Sequence, residues 1–194
     1  RLIHLSTDNV FDGLRGHYTE EDEPGPVNVY AQTKVEGEEA VRATLPDGLV
    51  VRVSLVMGFP VIGTGNSFLS RMVRAWKDNR RVGVPPDEIR TPIDVITLGQ
   101  ALIELVDSNV SGCLHLAGSE VVNRFDMAQR IAERLGFSRE LVVPNDPTGI
   151  PGRAPRPRDV SLDNAKARSL LNTPMHTLEG GLTQILGYVR QAWE

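Results

Sequence analysis

Residues 49–54, Leu-Val-Val-Arg-Val-Ser, form a run of strand length in which three residues are β-branched valines. A run of this kind suits a strand covered on both faces, which is how parallel strands lie in α/β sheets. A segment rich in Glu, Lys and Ala, Val29 to Leu45, comes just before it, with Asn28 as N-cap and Leu45-Pro46-Asp47-Gly48 as the stop signal. Strand after helix after strand then predicts an α/β protein with a parallel sheet.

The rest of the chain extends this pattern. Leu2 to Ser6 reads as a buried strand that opens at its carboxyl end into a long loop, Asp8 to Asn28. Loops of that length are usually functional or mobile. Helices are expected over Ser67–Asn79, Thr97–Asp107, Asp126–Leu135, Asp163–Leu171 and Leu178–Trp193, with strands at Cys113–Ala117 and Leu141–Val143. Met57–Gly65 and Pro144–Arg158 read as loops. The later part looks like a smaller mixed α/β lobe over the carboxyl edge of the sheet, the edge where open α/β folds bind ligands.

Composition narrows the function. The 194 residues carry a formal net charge of -4, which offers no electrostatic footprint for nucleic acid. No apolar run approaches the roughly 20 residues that span a bilayer, so no membrane partner is expected and a cytoplasmic location is. The single cysteine, Cys113, can form neither an internal disulfide nor a thiolate metal cage. It reads as an inert buried thiol. The four histidines lack metal spacing, so no metal site is expected, and His4 and His115 read as satisfied core residues. The acidic stretch Glu20 to Glu23 reads as a solvated loop.

One constellation carries chemistry. Tyr30 and Lys34 are four residues apart in the expected helix and so share a face. A phenol, with an ordinary pKa of about 10, exchanges protons poorly at neutral pH, but a nearby ammonium stabilises the phenolate and makes the exchange usable. The same lysine can hydrogen-bond a ribose. Ser6-Thr7-Asp8 ends the first strand, where a hydroxyl can reach into the ligand crevice and donate to a substrate oxygen. Thr7, Tyr30 and Lys34 would make a proton-transfer site for a carbonyl/alcohol pair, and such a site needs hydride from a nicotinamide, NADPH or NADH.

The residues that carry this chemistry also carry a resemblance. Ser6-Thr7-Asp8-Asn9-Val10-Phe11-Asp12-Gly13 and Asn28-Val29-Tyr30-x-x-Thr33-Lys34-x-x-Gly37-Glu38, then Val51 to Gly58, Asn66-Ser67-Phe68, Arg90-Thr91-Pro92, Leu114 to Gly118 and Arg156 to Asp163, resemble the dTDP-4-dehydrorhamnose reductase family of extended short-chain dehydrogenase/reductases. The likeness runs in order along essentially the whole chain. It implies the C-terminal part of a Rossmann-like doubly wound sheet. Residues 1–58 would be what remains of the dinucleotide-binding domain, and 59–194 a substrate-binding lobe interleaved with the last sheet elements. It also implies a nucleotide-sugar substrate reduced at a keto group, and a possible homodimer.

Carried across by residue, the family's proton donor falls on Tyr30, the amine that poises it and holds the nicotinamide ribose on Lys34, and the carbonyl's hydroxyl partner on Thr7. Asp8 matches a substrate contact. Ser54 falls where the chain passes the nicotinamide and Leu55 where it passes the sugar, while Asn66 and Arg156 match positions near the sugar-nucleotide diphosphate. Two positions depart from the family pattern: Asn9 stands where Tyr is usual and Leu55 where Trp is frequent, which weakens apolar contact with a deoxysugar.

Family members open with a glycine-rich turn about a hundred residues upstream. The chain instead starts at Arg1 and enters Leu2-Ile3-His4-Leu5 directly, so it is expected to be a piece of a longer protein. Gly63-Thr64-Gly65 does not replace that turn, because it lacks a third glycine and does not directly follow an expected strand. A non-catalytic dinucleotide-binding subunit and a nucleotide-sugar epimerase or dehydratase are alternative readings. Arg153, Arg156 and Arg158 among prolines fit either a phosphate clamp or a solvated basic loop.

Overall fold

The structure, a computed structural model, describes residues 1–60, 67–146 and 151–193, with side chains to residue 188. Chain order begins with β1 (Ile3–Thr7), a 3-10 turn at Asp8–Val10, α1 (Val29–Thr44), β2 (Leu49–Val53), β3 (Val56–Met57) and α2 (Phe68–Lys77). It continues with β4 (Val82–Val84), β5 (Ile89–Arg90), β6 (Ile93–Asp94), α3 (Val95–Val106), β7 (Gly112–Leu116) and β8 (Val122–Asn123). It closes with α4 (Arg124–Arg134), a second 3-10 turn at Arg139–Leu141, β9 (Val142–Pro144), α5 (Ala165–Leu170) and α6 (Leu178–Trp193).

The helices start where the sequence offers a side-chain acceptor. Asn28 takes the Ala31 N–H at 2.9 Å, Asp94 takes Thr97 N–H at 2.8 Å and Asn123 takes Asp126 N–H at 2.8 Å. Each cap satisfies a backbone donor that has no partner inside the helix.

The central sheet is parallel in the order β1-β2-β7, with Thr7 beside Val53 and Val53 beside Leu116. The carboxyl ends of all three strands therefore meet along one edge. Leu49, Val51 and Val53 point to the face covered by α3 and α5, where they pack with Leu98, Ala101, Leu105 and Ala167. Truncating one of these buried leucines to Ala costs roughly 2–5 kcal/mol. The smaller lobe has its own core, built from Met72 and Trp76 of α2, Met127 and Ile131 of α4, and Leu182 and Ile185 of α6. Its short strands pair β4 with β9 and β5 with β8. At the join a side chain on Gly118 would put its Cβ 2.1 Å from the Pro92 carbonyl oxygen, so only glycine fits.

Under α1 the sheet face is polar. Glu38 is fully buried and accepts from Ser6 Oγ, from Arg52 Nη2 at 2.8 Å and from Arg42 Nη2 at 2.7 Å. Arg52, 1% exposed, also lies over the Phe11 ring, 5.0 Å from its centroid. Burial opposes the charge on Glu38, but the hydrogen bonds from Arg52 and Ser6 hold its carboxyl below the ordinary range.

Three loop and core expectations change. The Asp8–Asn28 connection is pinned rather than loose: Phe11 and Tyr18 stack at 4.2 Å, Tyr18 N–H donates to Ser161 O at 2.9 Å, and Gly25 N–H donates to Val10 O at 2.8 Å. Glu20 is not a solvated carboxylate, since it accepts from His115 N–H at 2.9 Å and caps the outer edge of β7. Asp22 in the same stretch pairs with Arg15 and takes the Thr19 N–H at 2.7 Å. His115 is fully buried, yet neither ring nitrogen has a hydrogen-bond partner among the described residues. Its register neighbour on β2 is Arg52, a cation that can only donate, and burial together with that charge pushes the imidazole down to about 4.

Candidate functional site

The site grows from the end of β1. Thr7 leaves the strand extended and caps the 3-10 turn that follows, its Oγ1 accepting from Asn9 N–H at 3.2 Å. The Asn9 side-chain amide reaches back to Thr7 Oγ1 at 3.2 Å and to Asp8 Oδ1 at 2.7 Å. Thr7 Oγ1 in turn donates to Asp8 Oδ1 at 3.2 Å. The second oxygen of Asp8 accepts from Ser54 Oγ at 3.0 Å and faces Arg90 Nε at 3.8 Å. Burial raises the Asp8 carboxyl above its ordinary value, against the pull of Arg90 and these hydrogen bonds.

A ladder of charges leads outward from Asp8. Arg90 is buried and donates to Ile89 O at 2.7 Å and Arg158 O at 3.0 Å, which fixes its guanidinium. Glu88 follows, 3.7 Å from Arg90, 2.7 Å from Arg124 and 3.7 Å from Arg153. Thr7, Asp8, Asn9, Ser54 and Leu55 line a cavity of about 190 Å³ together with Arg90, Arg124 and Arg156. Arg124 and Arg156 also belong to a neighbouring groove of about 650 Å³, where Arg71, Arg80, Arg81 and Arg153 are added. A small polar chamber at the strand ends thus shares two guanidinium walls with a larger cationic groove. Phosphate oxygens suit such forks.

Tyr30 and Lys34 lie on α1, outside the walls of the small cavity. Tyr30 is 55% exposed, and its hydroxyl has no hydrogen-bond partner among the described residues. Lys34 Nζ donates to the Leu5 carbonyl of β1 at 3.1 Å, which ties the helix to the strand that ends in Thr7. Two of the three lysine donors are left over, as is the phenol. This donor set fits a ribose diol and a carbonyl oxygen, so the residues present are compatible with a nicotinamide cofactor.

Of the residues expected from sequence, the cavity gathers Thr7, Asp8, Ser54, Leu55 and Arg156. Asn66 and the Gly63-Thr64-Gly65 cluster lie outside the described residues. Arg158 points away, 78% exposed and 3.9 Å from Asp87. Sequence reasoning assigned no part to Glu88, Arg90 or Arg124. A signal for Arg124 existed: it is the first residue of α4, and a cation at a helix N-terminus opposes the helix dipole. Among the described residues no group of three or more His, Cys, Asp or Glu side chains is arranged to hold a metal ion, and no helix is long and apolar enough to cross a membrane.

Known proteins resemble this chain over most of its length. The chain is 37% identical over 177 residues to a dTDP-4-dehydrorhamnose reductase of Mycolicibacterium smegmatis, covering 90% of this chain and 53% of that protein. It is 30% identical over 174 residues to methionine adenosyltransferase 2 subunit beta of Bos taurus, covering 87% of this chain and 52% of that one. The chain thus spans about half the length of these curated relatives. A crystal structure of dTDP-4-dehydrorhamnose reductase from Bacillus anthracis in complex with NADP superposes with a TM-score of 0.86 at 27% identity, over 96% of this chain and 65% of that one. The family description RmlD substrate binding domain matches residues 1–190, and the chain belongs to that family.

Proposed function

We propose that the protein carrying this chain reduces the keto group of a nucleotide-activated 4-keto sugar, with NADPH or NADH as reductant. The observation that carries the reading is the Thr7–Asp8 turn, which opens at the strand ends into a polar cavity also lined by Arg124 and Arg156. A diphosphate laid on those guanidiniums brings the attached sugar toward Thr7. The name of the Mycolicibacterium smegmatis relative supports the substrate class, and the NADP in the Bacillus anthracis structure supports the cofactor.

A nicotinamide cofactor supplies the hydride for such a reaction when bound. Thr7 donates a hydrogen bond to the substrate carbonyl oxygen, Tyr30 delivers the proton that this oxygen needs, and Lys34 holds the ribose beside it. Ser54 and Asp8 keep the Thr7 turn in place, Leu55 offers the sugar an apolar contact, and Asn66 joins Arg156 at the diphosphate. Residues 1–58 serve the dinucleotide side and 59–194 the substrate side, with β7 completing the shared sheet. A cytoplasmic homodimer belongs to the same reading.

Tyr30→Phe in the protein expressed from its complete coding sequence should lower turnover at least about 10²-fold while cofactor affinity stays within a few-fold. Turnover retained in that variant overturns the mechanism. The similarity to methionine adenosyltransferase 2 subunit beta favours a second reading, a subunit that binds dinucleotide and a partner enzyme without reducing a sugar. A panel of dTDP- and UDP-4-keto sugars separates the two, since only the reductase consumes reduced cofactor. An epimerase or dehydratase would recycle it.

A further inference from the structure

We propose that Asn9 is a positioning residue that commits the Thr7 hydroxyl to donating into the cavity; the inference rests on the reductase reading and deepens it. A threonine hydroxyl has one hydrogen and two acceptor lone pairs. On Thr7 both acceptor sites are taken by one residue, the backbone N–H of Asn9 at 3.2 Å and its side-chain amide at 3.2 Å. The hydroxyl is left with nothing to do but donate.

Its recipient within the protein is easily displaced. Thr7 reaches Asp8 Oδ1 at 3.2 Å, long for an O–H···O bond, while the same oxygen already accepts from the Asn9 amide at 2.7 Å. The other carboxylate oxygen takes Ser54 Oγ at 3.0 Å and faces Arg90. Asp8 therefore stays satisfied without Thr7. When a carbonyl oxygen arrives in the cavity, the Thr7 proton can swing to it and no buried group is orphaned, so the exchange carries little penalty.

The chemistry of the amide makes this arrangement one-way. Turned about, Asn9 would set its carbonyl oxygen against the Asp8 carboxylate, acceptor against acceptor. An aspartate at the same place has the same shape but no donor. It would accept the Thr7 proton and withdraw it from the substrate. An alanine would free one lone pair of Thr7 without supplying a competing acceptor.

The test compares wild type, Asn9→Asp, Asn9→Ala, Thr7→Val and the double variant Asn9→Asp/Thr7→Val in the protein expressed from its complete coding sequence. The measurements are steady-state kinetics with NADPH and a dTDP-4-keto-6-deoxy sugar, equilibrium affinities for NADPH and for dTDP alone, and melting temperature. Asn9→Asp should lower kcat about 10²-fold, the scale of losing one transition-state donor, and Asn9→Ala only about tenfold. Affinities for NADPH and dTDP should stay within about twofold in both, since neither ligand meets the Thr7 proton. Adding Thr7→Val to Asn9→Asp should cost little more, because the same hydrogen bond is already gone.

A residue that merely filled space would rank the other way, the isosteric aspartate milder than alanine. That ranking, or losses from Asn9→Asp and Thr7→Val that simply multiply, overturns the role of Asn9 and leaves the reductase reading standing. A folded wild-type protein that reduces no 4-keto sugar nucleotide overturns both.

Discussion

Two assemblies of carboxylates and guanidiniums lie near each other at the carboxyl ends of β1 and β2, and they serve different purposes. Beneath α1, Glu38 receives Ser6, Arg42 and Arg52, and the Arg52 guanidinium is closed over by the Phe11 ring. At the strand ends, Asp8 and Glu88 are outnumbered by Arg90, Arg124, Arg153 and Arg156, and the surplus cations line a cavity. Both carry more cations than carboxylates; the first is closed in by protein and holds a helix, whereas the surplus cations of the second face open volume. A buried ion pair says little by itself about function. An unbalanced one beside open volume points to an anionic ligand.

The comparison is broken most forcefully at Glu38. Glu38→Gln leaves Arg52 buried without its counter-charge and should cost about 3–5 kcal/mol in urea or thermal denaturation. Replacing both residues, Glu38→Leu with Arg52→Met, should recover most of that loss. If the single variant melts like wild type, the clamp is not what seats α1.

Acid should act next, beside Arg52. Folded His115 refuses a proton until about pH 4, whereas an unfolded histidine takes one near 6.5. The unfolded chain thus binds the extra proton between those values. Stability from this group is complete above about pH 6.5 and falls away as the pH drops toward 4, by on the order of 3 kcal/mol. His115→Leu should flatten denaturation midpoints across that window, and an unchanged slope would show that the imidazole is not the group responsible.

The smallest effect on stability, and the one that sharpens the contrast, belongs to Arg156. It is an exposed cavity wall with no ion-pair partner among the described residues. Arg156→Ala should leave the melting temperature almost unmoved. It should weaken nucleoside diphosphate binding about 10- to 100-fold by calorimetry, the worth of a charged hydrogen bond. Unaltered affinity would move the diphosphate elsewhere.

The long elements were legible because periodicity and caps agree in them. α6 runs Leu178–Trp193 as read, β2 ends one residue short of the expected Ser54, and α1 starts at Val29 behind its Asn28 cap. The pairs β3 with β6 and β5 with β8 were not, since a strand of two residues has no period to detect. The same limit hid half of the site. Thr7 and Asp8 close a strand of readable length, whereas Glu88 and Arg90 sit beside and in β5, and the meeting of Arg90 with Asp8 depends on a fold-level contact. Glu20 misled for a related reason: in sequence it belongs to an acidic run, and only the path of the loop brings it to a strand edge.

That contact at Glu20 reaches beyond the single molecule. An outer strand with free amides is a template on which another chain can stack, the route by which sheets propagate into insoluble assemblies. By occupying the His115 amide with a carboxylate, the loop plugs β7 with a group that no incoming strand can mimic and that repels its own copy. The acidic residue thus covers a strand edge that would otherwise offer an unpaired amide.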